Sequence, residues 1–76
     1  MSEGIEAWIV FAVPVHAHQG SEMWVGTFAF EQFAYLTAAT LSRDLRGMLG
    51  AVYKVDPTGG RTLLRIYQNG ETSPLS

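Results

Sequence analysis

The sequence contains no cysteine, and only 16% of its 76 residues are charged. Without cysteine the chain can form no disulfide and has no thiol nucleophile. A chain of this length buries only about 60% of the surface that its unfolded form exposes, so we expect marginal stability. Efficient packing, a bound metal or cofactor, or association with another chain must therefore stabilise the fold.

Basic residues are also few. Five Lys and Arg stand against seven Asp and Glu, which gives a net charge of −2. This balance weakens a nucleic-acid role, because phosphate binding depends on clustered cations. All five cations follow residue 42, whereas Glu3, Glu6, Glu22 and Glu31 precede it, so the first 42 residues carry −4. We expect the folded domain to be electrically asymmetric.

Long apolar segments are missing as well. The longest stretch without a charge, residues 7–21, contains Pro14, His16 and His18 and is too short for a bilayer-spanning helix. It follows acidic residues, where a signal peptide would have basic ones. The 47% hydrophobic content argues against disorder. We therefore expect one compact cytoplasmic domain over residues 1–76, with loose ends at 1–6 and 71–76.

The apolar pattern predicts two hairpins around one helix. Residues 7–15 and 23–28 form the first hairpin, and residues 51–55 and 61–68 form the second around a run of turn formers. Between the hairpins, apolar residues recur every three or four positions from Phe30 to Leu49, which is typical of an amphipathic helix. The order is ββαββ: an α+β domain with an antiparallel sheet of about four strands and one helix on one face.

The first strand is apolar on both of its faces. Ile9, Phe11 and Val13 alternate with Trp8 and Val10. A strand buried on one face should alternate apolar and polar residues, so the pattern indicates that both sheet faces leave water. We expect the Ile9 row to face the helix and a second copy to cover the Trp8 row. The alternative is a sheet that curls around its own helix.

These features predict a non-enzymatic module, of accessory or inhibitor type, that binds other macromolecules and forms a homodimer. Aromatic side chains anchor many protein interfaces. The interface candidates are Trp8, Val10, Trp24, Tyr35 and Tyr67. Neither a catalytic constellation nor a cofactor motif is recognisable, so no cofactor is predicted.

The alternative function is a small-ligand or metal-binding domain that uses His16 and His18. His16 and His18 would share one face of a strand, and with Glu22 they could ligate a divalent transition metal. The His-x-His-x-x-x-Glu spacing resembles the opening of a cupin metal-binding motif, but no later histidine completes the set. A two-residue loop at 20–21, which we favour, would pair His18 with Met23 and place Glu22 on the opposite face. A three-residue loop would bring all three side chains together.

A third hypothesis concerns the second hairpin. A small basic and aromatic patch there could bind single-stranded nucleic acid weakly, because bases stack on aromatic rings and phosphates pair with cations. Its candidate residues are Arg61, Arg65, Tyr53 and Tyr67.

Overall fold

A computed structural model describes residues 6–16 and 22–73. In chain order its elements are β1 (Ala7–Pro14), β2 (Met23–Phe28), α1 (Glu31–Asp44), β3 (Met48–Val55), β4 (Arg61–Gln68) and β5 (Glu71–Ser73).

The strands form one antiparallel sheet in the order β2-β1-β3-β4-β5, and α1 packs on one of its faces. The predicted α+β class and ββαββ order are confirmed, although the sheet has five strands instead of about four. Among the described residues, none of the helical structure is long and apolar enough to cross a membrane.

The fifth strand lies in residues that we expected to be a loose end. Asn69 and Gly70 have φ angles of 56° and 83°. Positive φ at both central residues defines a tight two-residue hairpin turn, which an Asn-Gly pair favours strongly. Gln68 pairs with Glu71 directly across this turn. The expectation of a frayed end is therefore wrong for residues 71–73.

The helix ends earlier than the apolar spacing suggests. Its last turn closes at Leu45, whose N–H donates to the Leu41 carbonyl at 3.0 Å. Gly47 then takes a φ of 77°, a conformation that is costly for residues with a side chain. Met48, which continues the helical spacing, instead pairs with Pro14 in the sheet. Pairing with β1 thus overrides the helical pattern after residue 47.

The helix covers the face of β1 opposite to the one expected. Trp8 and Val10 are 8% and 0% exposed and form the core with Ala34 and Ala38. The alanines present little bulk, so the helix can approach the sheet closely above the large indole. The row headed by Ile9 points to the other side and is half-buried. Our assignment of the two faces is therefore wrong: the Trp8 row lies under the helix, and the Ile9 row lies on the uncovered face.

Candidate interaction surface

The sheet face that points away from α1, called the outer face below, is mostly apolar. Strand register places alternate residues of β1 and β3, with their neighbours on β2 and β4, on this face. The large apolar side chains on the outer face are all at least partly exposed. They are Ile9, Phe11, Val13, Trp24, Leu49, Tyr53, Val55, Leu63 and Ile66.

Arg61 crosses this surface. Its guanidinium carbon lies 4.8 Å from the ring centre of Phe11 and 4.7 Å from that of Tyr53, which are cation–π distances. The two rings meet edge to face, with their centres 5.7 Å apart. The Arg61 guanidinium also reaches Glu22, with an N–O distance of 3.8 Å. The cation is therefore held over an aromatic pair at the middle of the outer face.

The Arg61–Glu22 contact shows that the outer face is concave. Arg61 begins β4, whereas Glu22 directly precedes β2, and β1 and β3 lie between these strands. The two residues also belong to opposite ends of the sheet, because Arg61 pairs with Val55 and Met23 pairs with Ala12. Diagonal corners meet only when the sheet is strongly twisted and coiled. This curvature explains why the outer-face side chains are half-buried without a covering helix.

The predicted interface residues are divided between surface and core. Trp24 is 60% exposed at the rim of the outer face, where its indole N–H donates to the Thr27 hydroxyl at 3.3 Å. Trp8, Val10 and Tyr67, at 8%, 0% and 7% exposure, lie beneath the helix. They offer almost no surface to a partner, so we correct their assignment as interface residues.

Tyr35 belongs to a small polar cluster on the helix side. Its hydroxyl donates to a Glu31 carboxylate oxygen at 2.8 Å. The Arg65 guanidinium carbon lies 4.4 Å from the Tyr35 ring centre, and an Arg65 N–H donates to the Tyr67 hydroxyl at 3.3 Å. Burial, followed by the hydrogen bond and charge of Glu31, raises the pKa of Tyr35. The hydrogen bond to Tyr67 raises the pKa of Arg65.

The four residues of the predicted nucleic-acid patch do not share a surface. Arg61 and Tyr53 lie on the outer face, whereas Arg65 and Tyr67 lie on the helix side. The cause is a bulge in β4: Val52 pairs with Arg65 and Tyr53 with Leu63, which leaves Leu64 without a partner. One inserted residue reverses the faces of all the residues beyond it. The two predicted cations, Arg61 and Arg65, therefore lie on opposite faces of the second hairpin and form no single basic patch.

The predicted metal site is only partly described. His18 and the residues of the predicted loop lie outside the described residues, whereas His16 is exposed in the turn after β1. Met23 pairs with Ala12, so the expected pairing of His18 with Met23 is wrong. Glu22 is engaged by Arg61. Over residues 6–16 and 22–73, we find no group of three His, Asp or Glu placed to hold a metal, and no pocket.

Comparison of the chain with protein-family models, with curated proteins and with solved structures produced no match. Sequence reasoning identified the doubly apolar strand but missed the Arg61–Phe11–Tyr53 arrangement. No local sequence pattern predicts this cluster, because Phe11, Tyr53 and Arg61 belong to three different strands that become neighbours only in the folded sheet.

Proposed function

We propose that the protein is a non-enzymatic interaction module that self-associates through the outer face of its sheet. The observation that carries this proposal is the large apolar outer face with no layer of structure over it in the described part of the chain. Antiparallel sheets commonly have one packed face and one solvated face, and the solvated face is then polar. Here the uncovered face has the composition of a core.

A second copy is the occupant that suits this surface. Four strands about 4.8 Å apart and about eight residues long present roughly 500 Å² in projection, and the accessible area of protruding side chains is larger. The lower limit for a stable interface is about 600 Å² per partner. Two outer faces packed against each other come close to this limit and keep both helices outside.

The arrangement of polar groups on this face also favours a protein partner. Arg61 is the cation at the centre of the face, and it is already held by Glu22 and two rings. A neutralised and stacked guanidinium can be buried at lower cost than a free one, and arginine and aromatic residues are enriched at interface centres. A nucleic acid would instead require several free cations.

Native mass spectrometry of the full chain tests the proposal. We expect wild type to self-associate, and Leu63→Glu to lose the outer-face interface because it places a carboxylate on the apolar surface. Thr62→Glu is the matched control, since Thr62 is the neighbouring residue on the opposite face and is exposed. Far-ultraviolet circular dichroism of each variant verifies the fold.

Two results would contradict this proposal. One is a wild-type protein that stays monomeric at concentrations of tens of micromolar. The other is a folded Leu63→Glu variant with the same number of copies as wild type. A milder substitution, Ile66→Thr, on the same face repeats the test if Leu63→Glu does not fold.

A further inference from the structure

Exposed apolar side chains concentrate along one side of the molecule. Eight large apolar residues are exposed in the described part of the chain, and six of them, 40% to 63% exposed, belong to β2 or to the start of the helix. The six are Met23, Trp24, Val25, Phe30, Phe33 and Leu36. Such a concentration is more than the scattered apolar residues of an ordinary surface.

The strand on this side is an unprotected edge. β2 is the last strand of the sheet, and its sequence, MWVGTF, contains no charged residue and no proline. Proteins usually guard an exposed edge with lysine, proline or a very short strand. The opposite edge follows that rule, because β5 has three residues and begins with Glu71. One edge of the sheet is therefore protected against pairing with another strand, whereas the β2 edge is not.

A bulge marks the middle of β2. Val10 pairs with Gly26 and Phe11 with Trp24, so Val25 has no partner on β1. Bulges can discourage pairing at an edge. Here, however, the extra residue is an apolar side chain that is 40% exposed, where a protective lysine would be expected.

Two apolar side chains at the start of the helix, Phe30 and Phe33, lie on its β2 side. Phe33 is two residues from Tyr35, about 200° around the helix. Because Tyr35 contacts Arg65 and Tyr67 on β4, Phe33 points towards the opposite edge of the sheet, where β2 lies. Phe30 contacts Phe33 edge to face, with ring centres 5.8 Å apart. These two residues form an apolar surface beside β2, called the β2 flank below, whereas Leu36, midway between Ala34 and Ala38, points away from the sheet.

We propose that β2 pairs in antiparallel fashion with β2 of a second copy, which doubles the five-stranded sheet across a two-fold axis perpendicular to it. An antiparallel pair of identical strands is the contact that such an axis generates. When the six residues overlap fully, Val25 lies opposite Gly26, Trp24 lies opposite Thr27, and Met23 meets Phe28 in an apolar pair at each end. The overlapping strands bring no like charges together.

The same axis accounts for the β2 flank. It places both helices on the same side of the joined sheet, with their flanks directed at each other. α1 packs mainly over β1 and β3, so the two helix axes would be about 19 Å apart, given strand spacings of about 4.8 Å. Helices in direct contact are about 8 to 10 Å apart. Phe30 and Phe33 of both copies would therefore line an apolar valley over the joined strands.

The edge and the outer face together predict a larger assembly. If outer faces also stack, as the proposed function states, about a two-fold axis that crosses the edge axis at a right angle, the assembly closes at four copies. This last step rests on the proposed function, whereas pairing through β2 does not. Separate variants can therefore test the two contacts.

Native mass spectrometry of full-length variants tests the edge. We expect Val25→Lys to halve the number of copies in the assembly, because a lysine on the edge opposes strand pairing. Val15→Lys is the matched control: Val15 is the same residue type, 38% exposed against 40% for Val25, and its N–H donates to the Gly47 carbonyl, on the side of β1 opposite β2. We expect a wild-type tetramer, a dimer for either Val25→Lys or Leu63→Glu, and a monomer for the double variant.

Cross-linking gives a second readout that does not depend on weakening the protein. Because the chain has no cysteine, a single introduced cysteine has no competing partner within it. On mild oxidation we expect Val25→Cys, close to the proposed two-fold axis, to yield a disulfide-linked dimer on a non-reducing gel. Val15→Cys should stay monomeric on the same gel.

The outcomes separate the two proposals. An assembly that Leu63→Glu reduces but Val25→Lys leaves intact, with no Val25→Cys cross-link, overturns the edge pairing and leaves the proposed function standing. The reverse pattern overturns the outer-face contact alone. A monomeric wild type without a cross-link overturns both, and would direct attention to a strand from a different protein as the occupant of β2.

Discussion

Gly50 lies directly against the backbone of Ala38. A Cβ atom built on Gly50 would be 2.4 Å from the Ala38 carbonyl oxygen, far inside van der Waals contact. Gly50 belongs to β3 and Ala38 to the buried side of α1, so this contact sets how closely the helix packs on the sheet. The absence of a side chain is what permits the approach.

We therefore expect Gly50→Ala to destabilise the fold by about 1 to 3 kcal/mol or more, the usual cost of overpacking. Urea denaturation monitored by circular dichroism measures the change. Gly26→Ala is the control, because a Cβ there would meet the Phe28 ring at 3.4 Å, an ordinary contact. Equal loss of stability in both variants would show that the helix–sheet approach at Gly50 is not a tight constraint.

The two tryptophans should respond differently to truncation. Trp8 is 8% exposed in the core, whereas Trp24 is 60% exposed. We expect Trp8→Ala to cost about 3 to 5 kcal/mol, as for other large core deletions. Trp24→Ala should change the stability of the folded chain by less than about 1 kcal/mol. Urea denaturation, at a concentration where both variants have the same oligomeric state, distinguishes them.

Tryptophan fluorescence tests the same contrast in a second way. The emission that Trp24 contributes should be at longer wavelength than that of Trp8, because its indole is in contact with water. If Trp8→Ala is as stable as Trp24→Ala, the assignment of the two sheet faces is wrong and the Trp8 row is the uncovered one.

Tyr35 should make stability depend on alkaline pH. Its pKa is raised above 10.0, first by burial and then by Glu31. A raised pKa means that the folded state holds the proton more tightly than the unfolded state. This contribution to stability is complete below the unfolded pKa and is lost as pH rises through the folded pKa. Tyr35→Phe should therefore remove part of the alkaline loss of stability.

Tyrosinate absorbance and urea denaturation between about pH 9 and about pH 12 measure both effects. In Glu31→Gln we expect the pKa of Tyr35 to move back towards 10.0, because one cause of the shift is removed. An unchanged titration in Glu31→Gln would show that burial alone sets this pKa.

Local sequence patterns predicted well those helices and strands that follow from the spacing of apolar residues and turn formers. The helical repeat placed α1, and the turn formers between Val55 and Arg61 placed the second hairpin. The strand after Asn69–Gly70 was missed, although that dipeptide is a strong hairpin signal. The residues after this dipeptide have too little apolar content to predict a strand. They form one because their backbone pairs with β4.

The faces of the strands were harder to predict, since alternation reveals two rows but not which row the helix covers. In β1 both rows are apolar, so the choice depends on packing with Ala34 and Ala38. Bulges at Val25 and Leu64 then change the alternation within β2 and β4. For this reason Trp24 and Phe28 lie on opposite faces, as do Arg61 and Arg65.

The sequence by itself determined the α+β class, the order of the first four strands around the helix, and the existence of two apolar faces on one sheet. These properties follow from the period and polarity of neighbouring residues. Only the tertiary structure decided which face is uncovered, how Arg61 reaches Glu22 across it, and that β2 is an unguarded edge. Those properties depend on strand order, bulges and sheet twist, which arise from contacts between residues far apart in the chain.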